Sequence, residues 1–227
     1  MYIVRNEAEV TLGRAAEFES TIDELAAIQQ QNSGYVGSTL LQSYGNPGRY
    51  TLTSRWTDRD AARAANRKDN FTEFARSFLT SGLVRPLRLT EAYESIFEVD
   101  QANLQAPEST AERWIDFTLT NPMVAPAFED QVRQLGELSR QRAPGIMSIR
   151  LRRSLGSDTR YLLIVITTDR SAARGWLLVP EVRAFTETQP MMQYLSGSPS
   201  AETYYVVKRY VGPALSAVQG SSAAARQ

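Results

Sequence analysis

The chain begins with an alternation of side chains that predicts a β-strand. From Tyr2 to Val10 every second residue is apolar, except that Asn6 occupies the central position. After Gly13 the apolar residues recur at steps of three and four, which predicts an amphipathic α-helix of about four turns. The apolar face of this helix consists of Phe18, Ile22, Leu25 and Ile28. Asn6 is therefore the one polar residue on the apolar face of the first strand.

The same pattern returns in the second half of the chain. A stripe with identical steps is formed by Phe128, Val132, Leu135 and Leu138. The clearest copy relates the segment that begins at Arg49, RYTLTSRWTDRDAAR, to the segment that begins at Arg160, RYLLIVITTDRSAAR, 111 residues later. Trp56 of the first copy is replaced by Thr167 in the second. We interpret the chain as the duplication of one unit.

The remaining segments complete the unit in the same order in both copies. A Gly ends each first helix, and the alternation that follows predicts strands over Tyr35–Ser43 and Ile146–Ser154. Turn-forming residues then predict hairpins into the strands that end at Trp56 and Thr167. Asp58 and Asp169 are predicted N-caps of a second helix. That helix carries Phe71 and Phe74 in one copy, and Val182 and Phe185 in the other.

A fourth strand is predicted over residues 93–99 and again over residues 204–210. Each copy then reads β-α-β-β-α-β, the order of a ferredoxin-like unit. Two such sheets can bury their bare faces against each other, so the sequence predicts an α+β fold in which tandem ferredoxin-like repeats form an intramolecular dimeric α+β barrel. We place the repeats at residues 1–105 and 106–211, and expect residues 212–227 to be a disordered tail.

Composition excludes several classes of function. Lys and Arg together number 25, as do Asp and Glu, so no basic field favours nucleic acid or an anionic membrane. No apolar run predicts a membrane span, and no signal peptide is apparent at the start, so we expect a cytoplasmic protein. The sequence has no Cys and no His. Thiol nucleophiles, Ser-His-Asp triads and His-ligated metal or haem are therefore excluded.

Two motifs carry a resemblance to a known family. The second strand opens with Ser33-Gly34-Tyr35-Val36-Gly37-Ser38, and the third strand runs into Arg55-Trp56-Thr57-Asp58-Arg59-Asp60-Ala61-Ala62. Together with the order of elements, these residues resemble the antibiotic biosynthesis monooxygenase family of the dimeric α+β barrel superfamily. The chain looks like two such domains fused in tandem over residues 1–211.

The resemblance implies a set of activities and site residues. Family members include cofactor-independent oxygenases that convert phenolic or anthrone-like aromatic polyketides to quinones, haem-degrading enzymes, and proteins without an assigned reaction. The oxygenases and haem degraders place an Asn on the first strand and a Trp at the end of the third, positions that Asn6 and Trp56 occupy here. In the second repeat the matching positions are read as Asp116 and Thr167. The His on the second helix of the haem degraders has no counterpart in this chain.

The leading hypothesis is a monooxygenase that needs neither flavin nor metal and that oxidises a polycyclic phenol or anthrone to a quinone, with molecular oxygen as the second substrate. Asn6 and Trp56 are the predicted catalytic residues. The predicted substrate-binding residues are Tyr50, Leu52, Tyr93 and Asp116. The alternatives are a polyketide cyclase in which Asp116 assists enolisation, a non-catalytic small-molecule-binding barrel and, with less support, a haem degrader. The sequence leaves open whether two chains associate into a further homodimer.

Overall fold

The computed structural model describes residues 1–85, 89–100, 110–188 and 190–214. Its strands are β1 (Tyr2–Glu9), β2 (Tyr35–Ser43), β3 (Arg49–Trp56), β4 (Leu89–Asp100), β5 (Ala111–Thr118), β6 (Ile146–Ser154), β7 (Arg160–Thr167) and β8 (Ser200–Val211). Its α-helices are α1 (Ala15–Gln30), α2 (Arg59–Asn66), α3 (Asp69–Thr80), α4 (Ala125–Arg142), α5 (Arg170–Gly175) and α6 (Pro180–Thr188). Short 3-10 helices lie at Pro122–Val124, Trp176–Leu178 and Pro190–Tyr194.

The predicted α+β fold class is confirmed. The strands are hydrogen-bonded in the order β1-β3-β2-β8-β5-β7-β6-β4, which is the strand order of a closed antiparallel barrel. The chain divides into a first unit, Met1–Ala92 with Val207–Gln227, and a second unit, Tyr93–Val206. Strands β4 and β8 each begin in one unit and end in the other. Both have 12 residues and are longer than the predicted strands over residues 93–99 and 204–210. The boundary proposed after residue 105 and most of the proposed tail lie outside the described residues.

In the first unit, α1 covers the face of the sheet that carries alternate residues of β1 and β3. Strand β1 pairs with β3 in a register that sets Asn6 opposite Leu52 and Tyr2 opposite Trp56. The end of β8 belongs to this unit, where the N–H of Gly212 donates to the carbonyl of Val36 at 3.0 Å. The neighbouring Gly37 has a φ of 150°, and a Cβ there would collide with the carbonyl of Tyr210. Glycine is thus required where β2 approaches the last strand.

In the second unit, α4 covers the corresponding face of β5 and β7. Phe128, Val132 and Leu135 are buried, as the stripe predicted. They belong to a single cluster of buried apolar residues that also contains Ile115 and Phe117. Ring contacts at 5.1 to 5.3 Å join Phe128 to Phe117 and to Tyr161. The side chains between α4 and the sheet of the second unit therefore form one cluster.

The second predicted helix is wrong in detail, because it is broken in both units. In the first unit, α2 ends at Asn66 and α3 begins after Lys68, whose backbone is extended. The predicted caps are confirmed, since Asp58 accepts from the N–H of Ala61 at 2.8 Å and Asp169 from that of Ala172 at 2.9 Å. These backbone hydrogen bonds lower the pKa of both carboxyl groups. Within the described ranges, no helix is long and apolar enough to cross a membrane.

Candidate active site

Two adjoining cavities lie between the sheet and the helices of the first unit. The large cavity has a volume of about 430 Å³, within the range typical of sites for small molecules. Its sheet wall includes Tyr2, Val4, Asn6, Leu52, Ser54 and Trp56. Its helix wall includes Leu25, Gln29, Ala62, Arg63, Asn66 and Phe71. The small cavity, of about 170 Å³, shares Asn6, Leu25, Leu52 and Phe71 with it.

Asn6 and Trp56, the two predicted catalytic residues, line the same cavity. The antiparallel register of β1 and β3 brings both to the face that α1 covers, because side chains on one face of a strand recur every second residue. Asn6 is half-buried, and its Oδ1 accepts a hydrogen bond from the hydroxyl of Thr90 at 3.0 Å. Among the described residues no group accepts from Nδ2 of Asn6, so these two N–H bonds are available to a ligand.

Trp56 forms the floor of the large cavity and is 2% exposed. Its ring packs on that of Tyr35, with the centroids 5.2 Å apart. Burial raises the pKa of Tyr35 to about 12, so this residue stays a neutral phenol. Its hydroxyl meets that of Ser38, and Ser38 in turn donates to Oε1 of Gln29 at 3.3 Å. The indole ring is therefore held from behind by a buried and hydrogen-bonded partner.

A pair of polar residues that the sequence patterns did not single out faces the same cavity. Gln29 of α1 donates from Nε2 to the hydroxyl of Ser54 on β3 at 3.4 Å, and both side chains are buried. The predicted helix stripe placed Ile28 on the buried face, but Ile28 is only half-buried. The polar character of Gln29 hid it from a search for apolar periodicity. The feature that identifies Gln29 is its buried amide between two hydroxyl groups, and only the three-dimensional structure brings these groups together.

Arg63 and Asn66 line the large cavity on its helix side, and both side chains are exposed. Arg63 recurs as Arg174 in the second copy of the sequence, and in the first unit it lies at the cavity. A guanidinium group in this place favours an anionic group on a bound molecule. The carboxylates of the chain do not contribute to the walls of this cavity within the described residues.

The remaining predicted site residues divide into two groups. Leu52 lines both cavities and the ring of Tyr50 lines the small one, but the hydroxyl of Tyr50 donates to Glu19 at 2.9 Å. The second unit repeats this bond between Tyr161 and Glu129 at 2.7 Å, which indicates a structural role for the hydroxyl. Tyr93 and Asp116 belong to the second unit, and neither lines the two cavities.

The predicted correspondence of Asn6 with Asp116 is wrong. Strand pairing places Asn6 opposite Leu52, and it places Ile115 opposite Leu163, which is the copy of Leu52. The structural counterpart of Asn6 is therefore Ile115. Asp116 follows it on the strand and points to the other face of the sheet. The offset between the two copies is 109 residues at β1 and β5 and 110 residues at α1 and α4, so the second copy has one more residue between β5 and α4.

With the register corrected, three residues that line the cavities of the first unit correspond to larger or less polar residues in the second, and Trp56 corresponds to the smaller Thr167. The counterparts of Asn6, Ala8, Ser54 and Trp56 are Ile115, Phe117, Val165 and Thr167. Thr167 is fully buried, and its hydroxyl lies 3.1 Å from the carbonyl oxygen of Ala111 and 2.8 Å from that of Asp169. Ile115, Phe117 and Val165 belong to the apolar cluster that contains Phe128. Buried side chains therefore occupy the second unit at these four positions.

Solved structures with a similar fold include proteins named for oxidation chemistry. A candidate monooxygenase from Fusobacterium nucleatum subsp. nucleatum is 11% identical with a TM-score of 0.72, covering 92% of this chain and 94% of its own. An anthrone oxidase-like protein is 13% identical with a TM-score of 0.69, covering 92% of each chain. A haem-degrading enzyme from Listeria monocytogenes is 13% identical with a TM-score of 0.51, covering 90% of this chain and 99% of its own. At these identities the likeness concerns the fold alone.

No curated protein matches the sequence of this chain. The model of the family described as "Antibiotic biosynthesis monooxygenase" matches residues 1–77 and 118–188, which is more than half of the chain. The first match contains Asn6 and Trp56. It also contains every other residue that lines the large cavity except Thr90 and Ala92 of β4. The chain therefore belongs to the antibiotic biosynthesis monooxygenase family.

Proposed function

We propose that the first unit is a cofactor-independent monooxygenase site that oxidises a polycyclic phenol or anthrone to a quinone. The observation that carries this proposal is the large cavity, in which an oriented Asn6 and a buried Trp56 face a mostly apolar space. A flat aromatic molecule matches such a space, and the amide supplies a hydrogen bond to its oxygen. The proposed site is single, because the second unit is packed at the matching positions.

The proposed reaction balances without a protein-bound redox group. An anthrone gives up a proton to solvent, and the resulting carbanion adds molecular oxygen as a peroxide anion at the same carbon. The peroxide anion takes a proton back from solvent and becomes a hydroperoxide. Loss of water from this hydroperoxide leaves a carbonyl group, so one oxygen atom enters the quinone and the other leaves as water. The two hydrogen atoms of the water balance the two lost from the oxidised methylene group. No flavin or metal is needed for this stoichiometry, and the protein has to bind, orient and stabilise the anion.

Each cavity residue has a proposed task in this reaction. The N–H bonds of Asn6 donate to the substrate oxyanion, whose charge grows when the proton is lost. Trp56 orients the ring system, and Leu52 packs against it. Arg63 lowers the pKa of the bound phenol or anthrone through its positive charge. These tasks use hydrogen bonding and charge rather than a side-chain base, in keeping with the absence of carboxylates among the described cavity residues.

The alternative functions are less well supported. The cyclase hypothesis relied on Asp116, which lies in the second unit on the face opposite to that of Ile115. The haem hypothesis is weakened because the sequence contains no His to serve as an axial ligand. A non-catalytic binding protein would use the same cavity and would bind an aromatic ligand without turnover.

Oxygen uptake decides among these functions. Purified protein that has been treated with a chelator is mixed with anthrone or a panel of naphthols, and dissolved oxygen is followed while the product is analysed by mass. We expect one O₂ to be consumed for each anthrone, with a gain of one oxygen atom and a loss of two hydrogen atoms in the product. A product of unchanged oxygen content contradicts the proposal and favours cyclisation. Binding without oxygen uptake favours a carrier.

Thr90 offers a test of how Asn6 is oriented. Thr90→Val removes the hydroxyl that donates to Oδ1 of Asn6, and we expect oxygen uptake to fall by about 5- to 10-fold, as for the loss of one neutral hydrogen bond. Thr90→Ser keeps the hydroxyl and serves as the matched control, so it should retain most of the wild-type rate. If Thr90→Ser falls as far as Thr90→Val, the hydroxyl does not act through Asn6.

A further inference from the structure

The small cavity of the first unit is lined almost entirely by carbon. Its walls include Phe18, Ile22, Phe74 and Phe78, and the ring of Tyr50. The volume of about 170 Å³ is close to that of engineered apolar cavities that take up one benzene molecule. A space of this size and character suits one aromatic ring or a short hydrocarbon chain.

The small cavity adjoins the large one, and four residues line both. Asn6, Leu25, Leu52 and Phe71 border both. The polar residues Gln29, Ser54 and Arg63 line the large cavity and are not among the walls of the small one. A single molecule that reaches both would therefore place its polar, reacting part beside Asn6 and Trp56, and an apolar extension beyond Leu52.

The second unit supplies an internal comparison for the small cavity. Ala8 lies opposite Tyr50 in the first unit, and Phe117 lies opposite Tyr161 in the second, so the two residues occupy the same place in the fold. The ring of Phe117 packs edge-on against Phe128 at 5.3 Å and is buried. Ala8 has no ring to place against Phe18, and the small cavity lies at this position. One aromatic ring is thus present in the second unit where the first has open space.

From these observations we infer that the substrate of the first unit carries an apolar arm of about one ring that enters the small cavity, and that Ala8 determines the size of this arm. The inference rests on the proposed function, because it concerns the ligand of the same site. It adds a specificity determinant that the reaction itself does not require. The second unit would be unable to accept such an arm, since the ring of Phe117 already fills the position that corresponds to Ala8.

Two probes with the same head group test the arm directly. The probe 2-naphthol fits the large cavity, and 6-phenyl-2-naphthol adds one phenyl ring. Equilibrium binding is measured by quenching of tryptophan fluorescence under argon, so that oxidation plays no part. We expect the wild-type protein to bind the phenyl probe roughly 10- to 100-fold more tightly, which corresponds to burial of one phenyl group.

Two variants fill the small cavity from opposite walls. Ala8→Phe copies the residue of the second unit, and Ala75→Phe brings a ring from α3, so the second variant remains informative if the first fails to fold. Each should reduce the preference for the phenyl probe to within about threefold. Ala64→Phe places the same change on the exposed side of α2 and is the matched control that should keep the wild-type preference.

The outcomes separate this inference from the proposed function. No preference in the wild-type protein, no binding of either probe, or an unchanged preference in a folded Ala8→Phe or Ala75→Phe protein overturns the inference. A strong preference that the variants abolish supports it even if neither probe consumes oxygen, in which case the monooxygenase proposal fails alone. Oxygen uptake together with equal binding of both probes supports the monooxygenase proposal and overturns the inference about the apolar arm.

Discussion

Asn6→Ala is expected to lower oxygen uptake by about 100- to 1,000-fold, the range found when one preorganised donor to an oxyanion is removed. The amide of Asn6 is oriented by Thr90, and its two N–H bonds face the cavity without a protein acceptor among the described residues. An alanine there leaves the developing negative charge without this donor. Because Asn6 is half-buried and outside the apolar clusters, the fold should survive, as circular dichroism and thermal unfolding can verify.

The controls for Asn6 come from the chain itself. Asn6→Ile reproduces the residue at the structural counterpart, Ile115, and should be at least as inactive as Asn6→Ala. Asp116→Asn alters the residue that the sequence comparison had matched with Asn6, and should leave uptake unchanged. We also expect Trp56→Phe to lower turnover, because the ring that orients the substrate becomes smaller. Full activity of both Asn6→Ala and Trp56→Phe would remove this site from the proposal.

Phe128→Ala is expected to destabilise the protein by about 3–5 kcal/mol, the usual cost of removing a buried phenyl ring from a packed core. Phe128 is fully buried and lies between the rings of Phe117 and Tyr161. Buried side chains of the surrounding cluster pack against this ring, so its removal leaves a void that costs contacts on every side. For a chain of this length the midpoint of thermal unfolding should fall by roughly 6–20 °C.

Phe18→Ala is the matched variant in the first unit. Phe18 is the counterpart of Phe128 on α1 and is 2% exposed, but it also borders the small cavity. Part of its surface already faces open space, so the loss should be smaller by at least about 1 kcal/mol. Chemical denaturation of both variants measures the difference. Equal losses would mean that the small cavity is closed in solution, which would also count against its use by a ligand.

Much of the fold was predictable because both copies of the duplicated unit show the same sequence patterns. The buried positions of Phe18 and Phe128 on their helices, the caps at Asp58 and Asp169, and the third strands from Arg49 and Arg160 agree with the structure. Alternation along β1 and β3 also brought Asn6 and Trp56 to one face. Local periodicity is sufficient for these features, because each depends on residues close in sequence.

The rest depended on contacts between distant segments. The register of β5 against β7 is set by strand pairing, so the match of Asn6 with Ile115 could not be read from a count of residues. Gln29, Ser54 and Thr90 come from three different elements, and each is an ordinary polar residue in its own segment. Arg63 is exposed, and only the cavity beside it distinguishes it from other surface charges.

The placement of the last strand governs the order in which the protein can fold during synthesis. The first unit uses the end of β8: Lys208 and Tyr210 bind Asp23 at 2.7 and 2.8 Å, and the carbonyl of Val211 accepts from Gln30 at 2.9 Å. These partners are separated by more than 180 residues. The end of β8 must therefore be synthesised before the unit that holds the cavity is complete, so the segment made first depends on one that is made more than 180 residues later.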